Sequence, residues 1–240
     1  MTNGVRTRSS GSGPAPLAPS EARSRRSLRM AVAPGLLLVR MPVAPAGLAI
    51  GIMGGSFNPP HAGHVSVAGT ALRRLRLDRL WLLVSPGNPL KSDEDLADRR
   101  DRLEATRRLL RHPRMIATDV EAALGPRYTV DTLARLRRRH PPTRFVWVMG
   151  ADGLANLHRW RQWRRVAALL PIAVVARPGW RLAALASPAA RALARHRRRE
   201  SDAASLARVS PPAWVFLCTR LSPLSSTELR GKHKPPLPVV

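Results

Sequence analysis

The 240-residue chain has a single cysteine, Cys218, and no apolar run that approaches the ~20 residues needed to cross a bilayer. One cysteine cannot form an internal disulfide, so a disulfide-stapled fold is excluded. Cys218 ends an apolar run that begins at Ala213, and we expect it to be a small core residue in a buried strand. These absences predict a soluble protein of a reducing compartment, with the cytoplasm as its location and no membrane as a partner.

Acidic residues, lysines and aromatic residues are also scarce. Asp and Glu number 15 against 41 Lys and Arg, which gives a formal net charge of +26, and only three of the 41 are lysines. Arginine pairs bidentately with phosphate oxygens, so an arginine-rich surface attracts nucleic acids or small nucleotides. The alternative is codon bias in a GC-rich genome, which is favoured because the arginines are spread along predicted helices.

An arginine-rich RNA-binding protein is the alternative from a different functional class. Such a protein interleaves basic residues with exposed aromatic residues, on which the bases stack. Aromatic residues make up only 4% of this chain. No specific nucleic acid is therefore expected as a partner.

The composition divides the chain into three parts. Residues 1–46 are rich in Ser, Pro, Gly, Ala and Arg and show no sustained period of 2 or 3.6, so we predict a disordered N-terminal extension. A targeting peptide is the alternative for this region, although its apolar run, Leu36–Val39, is short. Residues 47–232 are predicted to form one folded domain, and residues 233–240 a Pro-rich tail.

From Gly47 onward, apolar runs of strand length alternate with helical patterns, which is typical of β-α units around a parallel sheet. The predicted strands are Leu48–Met53, Leu80–Val84, Met115–Val120, Arg144–Met149, Ile172–Ala176 and Ala213–Cys218. Thr129–Arg139 is predicted to be an amphipathic helix and Arg191–Pro212 a surface insertion. Right-handed crossovers between the strands predict an α/β fold with a doubly wound, mainly parallel sheet, in which ligands bind beyond the carboxyl ends of the strands.

The first predicted strand leads directly into Gly54–His64, with the sequence Gly-Gly-Ser-Phe-Asn-Pro-Pro-His-Ala-Gly-His. Two glycines at a strand end let backbone N–H groups approach a phosphate, and the helix that follows offers its positive N-terminal end. The segment therefore predicts a polyphosphate site. It matches neither the P-loop pattern nor the Gly-x-Gly-x-x-Gly pattern, so the cations must come from elsewhere in the chain.

The two histidines of this segment, His61 and His64, have three possible roles. A metal pair needs a third ligand, and no His-Glu-x-x-His motif or cysteine cluster accompanies them. Structural histidines at a turn are the second alternative. We favour donors to a transition-state phosphate, because the glycines and Asn58 suit an anion nearby, and we predict no protein-bound metal.

Gly54–His64 closely resembles the His-x-Gly-His signature of the nucleotidyltransferase superfamily, in the spelling of its nicotinate-nucleotide adenylyltransferase branch. Further segments are similar to landmarks of that branch and follow in its order: Asn88–Lys91, Arg127–Leu133, Gly150–Asp152, Trp160 with Trp163, Arg177–Gly179, and Ser225–Arg230. The resemblance spans residues 47–231. It implies a Rossmann-like nucleotidyltransferase fold and a role in NAD biosynthesis. The implied reaction is the transfer of the adenylyl group of ATP to nicotinic acid mononucleotide (NaMN), which gives nicotinic acid adenine dinucleotide (NaAD) and pyrophosphate.

The resemblance also implies the site residues. Catalytic roles are expected for His61, His64, Lys91 and Arg230. ATP binding is expected at Gly54, Gly55, Ser56, Phe57, Asn58, Gly63, Gly150, Asp152, Ser225, Ser226 and Thr227. Binding of the nicotinate nucleotide is expected at Tyr128, Thr129, Asp131 and Trp160.

Each of these assignments has an ordinary structural alternative. Ser225–Thr227 could cap a helix, and Lys91 could be a solvated loop lysine. Asp152 could cap a helix at a strand end. Trp160 and Trp163 are spaced i, i+3, as core residues of a helix often are.

The implied mechanism is in-line attack by a phosphate oxygen of NaMN on the α-phosphorus of ATP. The predicted site offers hydrogen-bond donors and cations but no nucleophile beside a base, which suits catalysis by positioning. Mg²⁺ is expected to be delivered with ATP, because the site has no carboxylate cluster to hold it. Another adenylyltransferase of the superfamily, with nicotinamide mononucleotide or phosphopantetheine as acceptor, is the alternative activity, and an oligomer is possible.

Overall fold

The computed structural model describes residues 41–87, 96–125 and 128–219. Five predicted site residues lie outside these ranges: Lys91, Ser225, Ser226, Thr227 and Arg230. The predicted tail and residues 1–40 of the predicted extension also lie outside them.

Seven strands in the described ranges form one parallel sheet. They are β1 Ala49–Gly55, β2 Arg79–Val84, β3 Met115–Thr118, β4 Arg144–Gly150, β5 Ile172–Val175, β6 Arg197–Arg198 and β7 Trp214–Leu217. Their order across the sheet is β3-β2-β1-β4-β5-β7-β6, and every neighbouring pair is parallel. The predicted fold class is therefore confirmed, and all six predicted strands are present.

Helices cover both faces of the sheet. They are α1 Ala62–Arg74, α2 Arg99–Leu109, α3 Val120–Leu124, α4 Thr129–Arg139, α5 Ala151–Asn156, α6 Trp163–Leu169, α7 Arg181–Leu185 and α8 Pro188–Ala192, with 3-10 turns at Leu157–Arg159, Ala194–His196 and Glu200–Arg208. One core cluster packs β-strand residues such as Ile52 and Trp147 with Leu133 of α4 and Val166 of α6. The other packs the opposite side of the strands against α1 and α2. Because both faces are buried, β5 and β7 are apolar throughout, and β1 to β4 are mostly apolar.

The segment Arg191–Pro212 is part of the fold and not only a surface insertion, so that prediction was wrong. It contains β6, whose two exposed arginines give no apolar strand pattern and are typical of a protected sheet edge. The 3-10 turn Glu200–Arg208 buries Ala203 and Leu206 in the core. Glu200, at the start of that turn, forms an ion pair with Arg74 of α1 at 2.9 Å.

The prediction for Cys218 was also wrong. β7 ends at Leu217, and Cys218 is exposed one residue beyond it. Its backbone N–H donates to Oε1 of Glu200 at 3.0 Å. The apolar run continued past the point where the chain leaves the sheet, so composition alone placed the strand end too late.

Residues 41–46, the part of the predicted extension that the structure describes, contact the sheet domain. Thr143 Oγ1 donates to the carbonyl oxygens of Ala44 and Pro45 at 3.1 and 3.2 Å. Arg79 Nη1 donates to the carbonyl oxygen of Val43 at 2.8 Å. None of the helices in the described ranges is long and apolar enough to cross a membrane.

Glu121 of α3 is a buried acid between two helices. Its Oε1 accepts a hydrogen bond from Thr132 Oγ1 of α4 at 3.0 Å. Burial raises the pKa of Glu121 from 4.5 to about 7, and the hydrogen bond from Thr132 offsets part of this rise. The carboxyl group therefore stays protonated in the folded chain at a pH where the unfolded chain has released that proton.

We expect the free energy of unfolding to fall between pH 4.5 and about 7 because of this group. Glu121→Gln has no carboxyl group at this position, so its free energy of unfolding should not show this fall. The difference in unfolding free energy, variant minus parent, should therefore increase by on the order of 3 kcal/mol as the pH rises across that range. Urea unfolding at a series of pH values measures it. Glu104→Gln, at an exposed position of α2, is the matched control, and parallel pH curves for Glu121→Gln and the parent chain would contradict the prediction.

Candidate active site

The carboxyl ends of the parallel strands meet at one edge of the sheet. β1 and β4 are neighbours at its centre, where the strand order reverses, and open α/β sheets bind their ligands at this switch point. The loop from Ser56 to His61 leaves β1 here and leads into α1. Gly150 ends β4 at the same edge and leads into α5.

His61 and His64 cap the N-terminus of α1 reciprocally. Nδ1 of His61 accepts the N–H of Gly63 at 3.1 Å, and Nδ1 of His64 accepts the N–H of His61 at 3.2 Å. A neutral imidazole has one donor and one acceptor nitrogen, so this pattern assigns the hydrogen to Nε2 of both rings. The helix cap thus determines the tautomer that can donate to an anion.

The two imidazoles differ in exposure. Their ring centroids are 3.9 Å apart. His61 is 4% exposed and its Nε2 atom is buried, whereas His64 is half-buried and packs against the ring of Phe57 with centroids 4.9 Å apart. His64 is therefore the more accessible donor of the pair.

Gly54 and Gly55 both lie close to aromatic rings, which the sequence did not reveal. A Cβ at Gly54 would lie 2.7 Å from Cη2 of the buried Trp147, and a Cβ at Gly55 would lie 3.2 Å from the ring of Phe57. The prediction explained both glycines by the approach of a phosphate. In the structure, the indole of Trp147 leaves no room for a side chain at Gly54, and the ring of Phe57 leaves little room at Gly55.

Phe57 and Asn58 form the turn after these glycines. Phe57 is buried and has a φ of 47°, a left-handed conformation that is unfavourable for a bulky residue and is held here by the burial of its ring. Asn58 is also buried, and its Oδ1 accepts the N–H of Ala97 at 3.4 Å. Asn58 was predicted to bind ATP, and in the structure its amide oxygen contacts the chain's own backbone.

Arg102 of α2 is a site residue that the sequence analysis missed. Its side chain is buried at this edge of the sheet, and the residue is 3% exposed. Its guanidinium donates to the carbonyl oxygens of Ser56, Ser85, Pro86 and Ala97 at 2.7, 2.9, 3.3 and 2.8 Å. Nothing in the sequence distinguished it from its neighbours, because α2 carries several arginines.

Asp152 and Arg177 form an ion pair beyond β4 and β5. Asp152 Oδ2 and Arg177 Nη1 are 3.0 Å apart. Gly150 lies beneath the pair, and a Cβ there would lie 2.7 Å from Cδ of Arg177 and would also overlap the Asp152 carboxylate. Arg177 belonged to a predicted landmark but not to the predicted site. A cleft of about 250 Å³ is lined by Arg177, Arg181 and Thr219.

The residues predicted for the nicotinate nucleotide lie around the starts of α4 and α6. Tyr128 precedes α4, Thr129 is its first residue, and Asp131 lies in its first turn. The guanidinium carbon of Arg161 lies 4.5 Å from the centroid of the Tyr128 ring.

Trp160 packs edge-on against Trp147 with centroids 6.1 Å apart. Trp147 also fills the space at Gly54, so one indole ring links Trp160 to the histidine loop. Trp163, by contrast, is a buried core residue.

The structure thus gathers most of the described site residues at the carboxyl edge. Ser56 and Gly63 belong to the same loop and helix start as the histidines, and Asp152 follows the neighbouring strand. Across the residues that can be described, no three His, Cys, Asp or Glu side chains cluster closely enough to hold a metal ion. The edge offers imidazole N–H donors and a helix N-terminus, which suit a polyphosphate.

Comparisons with known proteins identify the family of this chain. Residues 52–232 match the model of the cytidylyltransferase-like family. A protein of Agrobacterium fabrum named "Probable nicotinate-nucleotide adenylyltransferase" is 51% identical over 187 residues, which cover 78% of this chain and 100% of the relative. A protein of the same name from Cereibacter sphaeroides is 54% identical over 184 residues, which cover 77% and 97%.

A solved structure shows the same fold. It is the nicotinic acid mononucleotide adenylyltransferase of Plasmodium falciparum complexed with NaAD, with a TM-score of 0.58 and 17% identity. The match covers 77% of this chain and 83% of that chain.

The contact between Gly54 and Trp147 predicts a stability loss. Gly54→Ala should lower the free energy of unfolding by about 1–3 kcal/mol, because a buried indole must shift to admit the methyl group. Gly69→Ala within α1 is the matched control, where the nearest atoms lie 3.4 Å away or more and the helix should gain about 0.5–1 kcal/mol. Urea unfolding measures both; equal stability of the two variants would refute this reading.

Proposed function

The chain belongs to the nicotinate-nucleotide adenylyltransferase family, and on that premise we propose that its carboxyl-edge site transfers the adenylyl group of ATP to NaMN, with NaAD and pyrophosphate as products. The observation that carries the proposal is the reciprocal histidine cap at the switch point of the sheet. It places an imidazole N–H donor at a helix N-terminus, where a phosphate is best stabilised.

The reaction needs no group of the protein as a nucleophile. A phosphate oxygen of NaMN forms a bond to the α-phosphorus of ATP, the bond from that phosphorus to the bridging oxygen breaks, and its electron pair leaves with pyrophosphate. Negative charge on the α-phosphate oxygens is then stabilised by donors that are already in position. We assign the direct contact to Nε2–H of His64; the role of His61 as a second donor stays a prediction.

The acceptor half of the site is assigned to Tyr128, Thr129, Asp131 and Trp160. Aromatic planes can stack on the pyridine ring of the acceptor. The Arg161 guanidinium beside Tyr128 favours an acceptor with a carboxylate over one with a neutral amide, because guanidinium pairs with carboxylates through charge-assisted hydrogen bonds. This supports NaMN over nicotinamide mononucleotide.

The ATP half is assigned to Gly150, Asp152 and the loop from Gly54 through Asn58 to Gly63. Asp152 suits a ribose hydroxyl or the adenine side, with its carboxylate oriented by Arg177. The roles of Lys91, Ser225, Ser226, Thr227 and Arg230 stay predictions, as does the cytoplasm as location.

Magnesium is proposed to arrive on the phosphates of ATP. Mg²⁺ keeps several waters and binds through substrate phosphates and one or two carboxylates. Asp152 is a predicted site carboxylate at this edge, and it is paired with Arg177. The donors of the chain therefore fit a nucleotide that carries its own ion, which would neutralise charge on the phosphates.

The acceptor is identified by a direct assay. The purified chain is mixed with ATP, Mg²⁺ and one of three acceptors, NaMN, nicotinamide mononucleotide or phosphopantetheine, and pyrophosphate release is recorded. We expect NaMN to react at least ~10-fold faster in kcat/KM than either alternative, because a lost charge-assisted hydrogen bond is worth about that factor or more. Equal or better use of phosphopantetheine would replace the proposal with the alternative activity.

His64→Ala tests the phosphate donor. We expect kcat to fall by about 10²–10³, as for the loss of one donor to a transition-state oxyanion. The lost cap should also cost about 1 kcal/mol of stability, so thermal melts must accompany the assay. His196→Ala, in a 3-10 turn away from β1 and β4, is the matched control. Parental kcat in a folded His64→Ala variant would refute the assigned role.

A further inference from the structure

The buried guanidinium of Arg102 connects three separate backbone segments at the active edge. Ser56 lies in the loop after β1, Ser85 and Pro86 follow β2, and Ala97 precedes the N-cap of α2. The donor-acceptor distances are 2.7 to 3.3 Å, so each contact is an ordinary hydrogen bond.

The contacts close a ring around the turn that precedes the histidines. Arg102 Nε donates to the carbonyl oxygen of Ala97, and the N–H of Ala97 donates to Asn58 Oδ1. Arg102 Nη1 donates to Ser56, two residues before Asn58. The turn is therefore held from both ends through one side chain.

We propose that Arg102 is a positioning residue for adenylyl transfer: it holds the Ser56–Asn58 turn against the end of β2 and the start of α2, and so places the imidazole of His64. This inference rests on the proposed function. The left-handed Phe57 lies inside the held turn, which explains how an unfavourable backbone conformation persists there. A displacement of about 1 Å at a catalytic group can cost roughly 10²-fold in rate.

Only arginine suits these contacts. Its planar guanidinium carries five N–H donors in a fixed fork and can reach several carbonyl oxygens at once. A lysine would present a compact ammonium on a flexible stem, with all of its N–H donors on one nitrogen atom. Arg102→Lys therefore keeps the charge and the approximate length but cannot reproduce all of the contacts.

The test combines kinetics with chemical rescue. In Arg102→Ala we expect kcat to fall by about 10²-fold, with a smaller change in the KM for ATP, because the donor is misplaced and not removed. Guanidinium at millimolar concentration should recover at least a tenth of the lost rate by filling the vacated site, whereas NaCl at equal ionic strength should not. Arg107→Ala, at an exposed position of the same helix, should keep the parental rate and show no rescue.

Hydrogen exchange supplies a readout that does not depend on turnover. Amides of residues 55–58 and of Val84 and Ser85 should lose protection in Arg102→Ala, while those of β5 and β7 should not, since a purely structural loss would raise exchange throughout the domain. If Arg102→Ala does not fold, Arg102→Lys is measured in the same way: a folded lysine variant with reduced kcat and locally faster exchange supports the proposal.

Two results would overturn the inference. One is a folded Arg102→Ala or Arg102→Lys variant with parental kcat, and the other is reduced kcat with uniform exchange and no rescue by guanidinium. Failure of the proposed function looks different, because the parent chain and Arg107→Ala would then release no pyrophosphate with NaMN. In that case the exchange pattern still decides whether Arg102 holds the turn.

Discussion

The reciprocal hydrogen bonds between His61, His64 and the first backbone amides of α1 are the interaction on which the rest of the site depends. A helix begins with amides that lack partners inside the helix, and these must be satisfied by capping groups. Here the capping atoms are imidazole nitrogens. The same bonds that stabilise the helix assign the hydrogen to Nε2 of both rings, which is the tautomer that the proposed phosphate donor of His64 requires.

The cap is useful only because the loop that leads to it is fixed. Trp147 occupies the space that a side chain at Gly54 would fill, and the ring of Phe57 lies close to Gly55. Arg102 then joins the loop to β2 and α2 through backbone carbonyl oxygens. Burying a cation is expensive unless its donors are satisfied, so this guanidinium favours one arrangement of the surrounding backbone over others.

The arginines of this chain lie in several different structural surroundings. Arg102 is buried among carbonyl oxygens, Arg177 pairs with Asp152, and Arg161 stacks on Tyr128. Others, such as Arg107, are simply exposed on helices. Composition cannot separate these groups, because the contribution of an arginine depends on the surroundings of its guanidinium and not on the number of arginines in the chain. Codon bias and function can therefore both contribute to the same excess.

The sequence by itself determined the sheet and the location of the site. Apolar runs of strand length fixed all six long strands because a strand covered on both faces must be apolar along its whole length. The Gly54–His64 motif predicted a phosphate site after β1 because its residues are contiguous, and the structure puts this segment at the switch point of the sheet. Tertiary structure alone decided the exposure of Cys218, the edge strand at Arg197, the contact of Trp147 with Gly54 and the role of Arg102. Each of these features depends on contacts between residues that are distant in sequence and come together only when the chain folds. A local sequence pattern cannot predict which of several similar side chains makes such a contact.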